Sequence, residues 1–192
     1  MLNPGFVTRR ALAQWQDIPV FLPQFQFYEK HQTVIETHSP EKILPIIANF
    51  DIQQDTVIRF LMSVRQLPQK FRRNKQHQVI SRFGLDSFTL LEKSASELCY
   101  GLRGQFWRAD FGLENVPDTD VYLAAVKPGS AKLLLRYRIN KVKEGQYQLQ
   151  TETFIHCPDS ATRLKMAAYW MAIRAGSGWI RKRTLTAVKS AI

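Results

Sequence analysis

Gln146-Tyr-Gln-Leu-Gln-Thr-Glu-Thr-Phe-Ile-His-Cys157, with the segment that follows it, decides the fold. Polar and apolar residues alternate along it, as a half-buried strand requires. Pro158-Asp159 breaks the pattern, and a helical stretch then runs from Ser160 to Ile192. Within it residues 166–173 are apolar on every side, with Tyr169 and Trp170 at the centre. A helix apolar all round has to be enclosed by protein, and the segments before it read as consecutive strands. The pattern predicts a long C-terminal helix lying across a curved antiparallel sheet. Asp159 or Ser160 is its expected cap, and it is expected to continue, with a bend, past Gly176 and Gly178.

Upstream, Leu133, Leu135, Tyr137 and Ile139 alternate with Leu134, Arg136 and Arg138, and Glu144-Gly145 is a hairpin-turn signal. Residues 87–93, 97–107 and 120–126 also read as strands. Gly101 and Gly104 inside one of them mark a bend or a close approach. A first strand is expected over 24–38. Ser39-Pro40-Glu41 then opens a helix, with Ser as cap and Pro at its first position. Ile43, Ile46, Ile47 and Phe50 follow at helical spacing, and a second helix carries Val57, Phe60, Leu61, Val64 and Leu67. Residues 69–85 read as a polar, basic loop. Residues 1–24, with Pro4, Pro19 and Pro23, form an irregular arm or short helix. The order is α+β: strand, two short helices, five strands, one long helix. No linker or repeat divides it, so one domain over 1–192 is expected.

A chain of 192 residues suits one core with room for a cavity. Hydrophobic content of 45% and charged content of 22% are those of a globular protein. Cys99 and Cys157 make no disulfide framework, which points to a reducing compartment. Arg9-Arg10 before Ala-Leu-Ala superficially suggests a leader, but Gln14, Gln16, Asp17 and Pro19 interrupt it. No run approaches the roughly 18 apolar residues of a membrane span. A cytoplasmic protein is the expectation. The net charge of +11 gathers in residues 65–75 and in the last helix, which has no Asp or Glu. Nucleic acid, an anionic membrane or an acidic protein would suit it. A solvated face, partly matched to a helix C-terminus, is the expected reading.

The words Arg65-Gln-Leu-Pro68, Phe88-Thr-Leu-Leu91, Glu97-Leu-Cys-Tyr-Gly-Leu-Arg-Gly-Gln-Phe-Trp107, Thr151-Glu-Thr153, Tyr169-Trp170, Gly176-Ser-Gly178 and Ile180-Arg181 occur in that order. In that order the chain, from about residue 30 to its end, resembles a bacterial branch of the START-like, or polyketide cyclase/dehydrase-like, superfamily (SRPBCC, helix-grip). The resemblance implies a helix-grip fold with an apolar cavity between sheet and C-terminal helix. It implies no single activity, because that superfamily includes carriers, receptors and cyclases.

The residues facing such a helix are the candidate lining. They are Phe88, Leu90, Tyr100 and Leu102 on the earlier strands, Leu133, Leu135 and Tyr137 on the next, and Leu149, Thr151 and Thr153 on the last. Trp170 and Ile173 face them from the helix. Thr151 and Thr153 bring hydroxyls into an apolar interior, where each bonds locally or orients a ligand. Glu152 belongs to the outer face, beside Arg136 or Arg138 across the hairpin, as a surface-type ion pair.

Histidines 31, 38, 77 and 156 show no metal-ligand spacing, and His156 and Cys157 point to opposite faces. There is no Gly-rich phosphate loop, paired carboxylate site or serine nucleophile motif. No catalytic residue, metal or cofactor is assigned. The expected function is the binding or carrying of a small hydrophobic ligand, a lipid, isoprenoid or polyketide-like molecule. One alternative is a cyclase or hydratase using Tyr100, Tyr137, Thr151, Thr153 and His31. Another is a peripheral membrane protein docking through Arg181, Lys182 and Arg183; nucleic acid is disfavoured for want of a motif.

Overall fold

The computed structural model describes residues 5–48, 87–108 and 111–190. Five strands form one open antiparallel sheet in the order β1-β5-β4-β3-β2. They are β1 (Phe27–Glu36), β2 (Thr89–Lys93), β3 (Glu97–Gly104), β4 (Ala131–Lys143) and β5 (Gln146–His156). Among the described residues four α-helices accompany them: α1 (Arg9–Ala13), α2 (Ile43–Ala48), α3 (Thr119–Leu123) and α4 (Ser160–Ser190). The α+β class stands; after α2 the described residues hold four strands with a short helix among them, where five strands were expected. The second helix expected near residues 57–67, and the basic loop after it, lie outside the described residues.

Strands β4 and β5 form the hairpin expected from the alternation, in a register that pairs Leu135 with Thr153 and Tyr137 with Thr151. Gly145 makes its turn in the left-handed region, φ 68°. Strand β1 then adds to the free side of β5, so the first and last strands are neighbours.

The cap of α4 is Asp159. Its carboxylate accepts the Thr162 amide at 2.7 Å and the Thr162 hydroxyl at 2.6 Å. Those hydrogen bonds hold the carboxyl below its ordinary pKa against a smaller opposing effect of burial. The Gly129 amide also donates to both side chains, which fastens the loop before β4 to the start of α4. The helix then runs unbroken through Gly176 and Gly178 to Ser190.

One face of the sheet is inner, toward α4. Met166 and Trp170 of α4 pack there on Phe27, Leu102 and Ile155. Farther along, Leu185 and the α2 residues Ile43, Leu44 and Ile47 pack on Ile35, Ile139 and Leu149. The expectation that residues 166–173 are enclosed on every side fails: Met171 is 69% exposed, and Leu164 just before the stretch is 74% exposed. The sheet lies on one side of the helix, and among the described residues nothing covers the other.

The outer face is covered too, by the arm. Val7 donates to the Gln26 carbonyl and Tyr28 to the Gly5 carbonyl, so the arm begins along the edge of β1. It passes through α1, capped by the Thr8 hydroxyl, and crosses the sheet. Leu22 and Phe25 pack on Cys99, Leu134 and Phe154, with Trp15 edge-on to both Phe25 and Tyr28.

Three local expectations are corrected. Residues 120–126 are not a strand. Asp118 accepts the Val121 amide at 2.8 Å and starts α3, while Arg103 and Lys132 donate to carbonyls at its far end. Capping at both ends overrides the β-type residues Val121 and Tyr122. Ser39 makes no side-chain cap, and the chain enters α2 through a short 3-10 turn at Pro40–Lys42. Strand β3 ends at Gly104, three residues early.

Gly101 is explained by close approach, since a Cβ there would lie 2.5 Å from the ring of the buried Tyr122. Gly101→Ala is therefore expected to destabilise by about 1–3 kcal/mol as an overpacked site. Urea denaturation checks it; an unchanged midpoint would mean that α3 can withdraw without loss.

Candidate functional site

The inner face is not uniformly apolar. Residues 27, 29, 31, 33 and 35 of β1 point inward in phase, which places Glu29 and His31 between the apolar anchors Phe27 and Ile35. Glu29 pairs across the sheet with Thr153, and His31 with Thr151. Continuing along these two rows, Thr153 adjoins Leu135 and then Tyr100, while Thr151 adjoins Tyr137 and then Leu98. Cross-strand neighbours stand about 4.5–5.5 Å apart at Cα. Two adjacent rows thus hold a carboxylate, an imidazole, two threonine hydroxyls and two phenols.

On β1 and β5 the polar residues of these rows lie between two apolar clusters beneath α4, one with Trp170 and one with Leu185; Leu98, Tyr100, Leu135 and Tyr137 belong to the second. Glu29, Thr151, Thr153, Tyr100 and Tyr137 are all buried. His31 Nε2 lies 3.4 Å from Glu29 Oε1. Thr151 is only 1% exposed, yet among the described residues its hydroxyl has no hydrogen-bond partner. A buried hydroxyl left unmet costs about 1–3 kcal/mol. Burial pushes the Tyr100 phenol above its ordinary pKa, so it remains a hydrogen-bond donor at neutral pH.

The structure therefore brings together most of the lining read from the sequence. Tyr100, Leu102, Leu135, Tyr137, Leu149, Thr151, Thr153 and Trp170 are buried. Phe88 and Leu133 are half-buried and touch both apolar clusters. Leu90 departs from the expectation: it sits opposite Tyr100 on the edge strand β2 and is 48% exposed. The side chains of Ile173, Arg181 and Arg183 lie outside the described residues; Lys182 is exposed.

His31 belongs to the set of five donors and acceptors expected from the sequence; Glu29 was not among them. The signal was the odd-numbered phase set by Phe27 and Ile35.

The opposite face carries a denser charge cluster of a different kind. Arg136 donates to Glu152 at 2.9 Å and to Asp17 at 2.7 Å, and Tyr28 donates to Glu152 at 2.6 Å. Arg138 joins Asp17 to Glu97, and the Cys99 thiol donates to Glu97. The cross-strand pair of Glu152 and Arg136 is where the alternation put it, but it is buried under the arm instead of lying at the surface. Burial, and then the bond to Glu97, push the Cys99 thiol far up, so it stays protonated. Glu92, Glu97 and Cys99 converge closely enough to hold a cation. With the thiol protonated and Glu97 held by Arg138, they act as fastening. His31 and Cys99 lie on opposite faces and cannot act as a pair. Burial pushes the Cys157 thiol up to about 12.

No described helix is long and apolar enough to cross a membrane. No family model, curated protein or solved structure matches the chain.

Proposed function

We propose that the chain binds a small hydrophobic ligand carrying a polar end, held between the inner face of the sheet and α4 in the manner of a helix-grip domain. The observation that carries this reading is the Thr151 hydroxyl, buried in a polar band flanked by apolar clusters and without a partner among the described residues. Ligand sites are mainly apolar with a few placed polar groups, and this face has that composition. The order of elements supports the likeness to the START-like superfamily, as do a long helix packed across an antiparallel sheet and the inward-facing Thr151 and Thr153. A lipid, isoprenoid or polyketide-like molecule fits the apolar surroundings.

A second reading, a cyclase or hydratase on such a substrate, draws on one specific feature. Tyr137, Thr151 and His31 fall in a single row across three strands, with Glu29 at 3.4 Å from the imidazole. A positioned acid–base group is what such chemistry needs. Binding remains the primary reading, because it requires only the unmet hydroxyl and its setting.

Native mass spectrometry of protein purified from cells without delipidation tests it. A ligand adduct on the wild-type chain, reduced in Thr151→Val, is the expected result. A spectrum of bare protein alone would count against a resident ligand.

A further inference from the structure

We infer that the outward line of α4 is a docking surface for an anionic lipid membrane. Leu164 and Met171 lie on it, both largely exposed. Lys182 and Lys189 are exposed as well. Counted from Leu164, Met171 is seven residues on, Lys182 eighteen and Lys189 twenty-five. These spacings are about two, five and seven whole turns, so the four side chains form one row about 37 Å long. Ala168 and Ala172 are exposed beside the row, and the exposed Lys165 flanks it. The sheet holds the other side of the helix through Met166 and Trp170. The surface is thus separate from the buried polar band. It extends the basic contact expected at Lys182 along the N-terminal half of the helix.

Charge points to the occupant. Residues 160–192 hold seven Lys and Arg and no Asp or Glu, in a chain of net charge +11. Exposed apolar side chains in line with lysines match an interface where acyl chains lie just beneath anionic headgroups. A lysine keeps its charge among the headgroups while its stem lies along the acyl boundary. A flat surface also meets the whole row at once. A partner helix fits less well. The spacing of Ala161, Leu164, Ala168 and Met171 is that of a two-helix seam, but half of those positions are alanine. Continued at the same spacing, the seam reaches Lys182 and takes in a cation. A second copy of the chain would bring a helix without acids against its like.

Co-sedimentation of the full chain with vesicles of phosphatidylcholine, alone or mixed with an equal part of phosphatidylglycerol, tests this. The assay is run at about 0.1 M salt, where the Debye length is about 10 Å. Partition onto the mixed vesicles is expected to exceed that onto phosphatidylcholine at least about tenfold. It should fall as salt is raised, with no change to the protein. Lys182→Glu/Lys189→Glu should weaken it at least about tenfold. Leu164→Ser/Met171→Ser changes side chains that already face water. It should keep the wild-type melting temperature and still weaken partition about tenfold.

Equal partition onto both vesicles, no partition onto either at low salt, or full binding by either double variant overturns the inference. Full binding by Leu164→Ser/Met171→Ser alone would leave a purely electrostatic contact open to any polyanion. Sedimentation velocity without lipid completes the test. A dimer that Leu164→Ser/Met171→Ser dissociates would assign the face to a second copy and overturn the inference too.

Discussion

Trp170→Ala is expected to lower the unfolding free energy by about 3–5 kcal/mol, the cost of truncating a buried Trp. Trp170 is almost fully buried, with its ring 5.9 Å from that of Phe27. Its far side meets the arm: a Cβ on Gly5 would lie 3.0 Å from Trp170 Nε1. One side chain therefore joins α4, the edge of β1 and the start of the arm, and no neighbour can move in without losing another contact. Guanidinium denaturation followed by far-UV circular dichroism measures the loss. A midpoint equal to the wild type's would mean that α4 does not depend on this contact to sit on the sheet.

The second large effect belongs to the outer face. Arg136→Met should cost about 3–5 kcal/mol, because it leaves the buried Glu152 carboxylate without its cation. The double variant Arg136→Met/Glu152→Leu should regain much of that loss, since removing both charges removes the desolvation penalty as well. Asp17 is 52% exposed on its side chain and can return to water in either variant.

Asp17 also gives the cluster a pH signature. Burial raises its carboxyl, but hydrogen bonds from Arg138 and Arg136, with their charges, outweigh that and hold it below the ordinary range. A carboxyl lowered by folding contributes stability above its unfolded pKa, about 3.9, and the contribution disappears as pH falls through the folded value. Stability should therefore drop on acidification below about pH 4, and Asp17→Asn should remove part of that drop. A double variant no more stable than Arg136→Met would show that Glu152 is satisfied without its cation.

The parts of the fold legible in the sequence were those set by local rules. The alternation of Leu133 to Ile139 and of Tyr147 to Ile155 gave two strands and their faces, Glu144-Gly145 their turn, and Asp159 the start of α4. Gly101 announced a close approach, although only the structure supplied Tyr122 as its cause.

What periodicity could not reach was long-range. A pattern that sends charges outward assigns Arg136, Arg138 and Glu152 to water. An arm more than a hundred residues upstream covers that face, and Asp17 completes the cluster. Val121 and Tyr122 favour a strand by type, yet a cap at Asp118 and cations from β3 and β4 decide for a short helix. Leu164 and Met171 are exposed because one sheet cannot enclose a helix. Most of the candidate site was legible, through Tyr100, Tyr137, Thr151, Thr153 and His31. Glu29 was hidden by its charge, although its phase with Phe27 and Ile35 gave it away.

A high-resolution crystal structure of protein that has not been delipidated tests the central claim most directly. The account predicts elongated density between the polar band and α4, with a polar atom within about 3.2 Å of Thr151 Oγ1. Protein side chains filling that interval, with the Thr151 hydroxyl bonded to one of them, would contradict it.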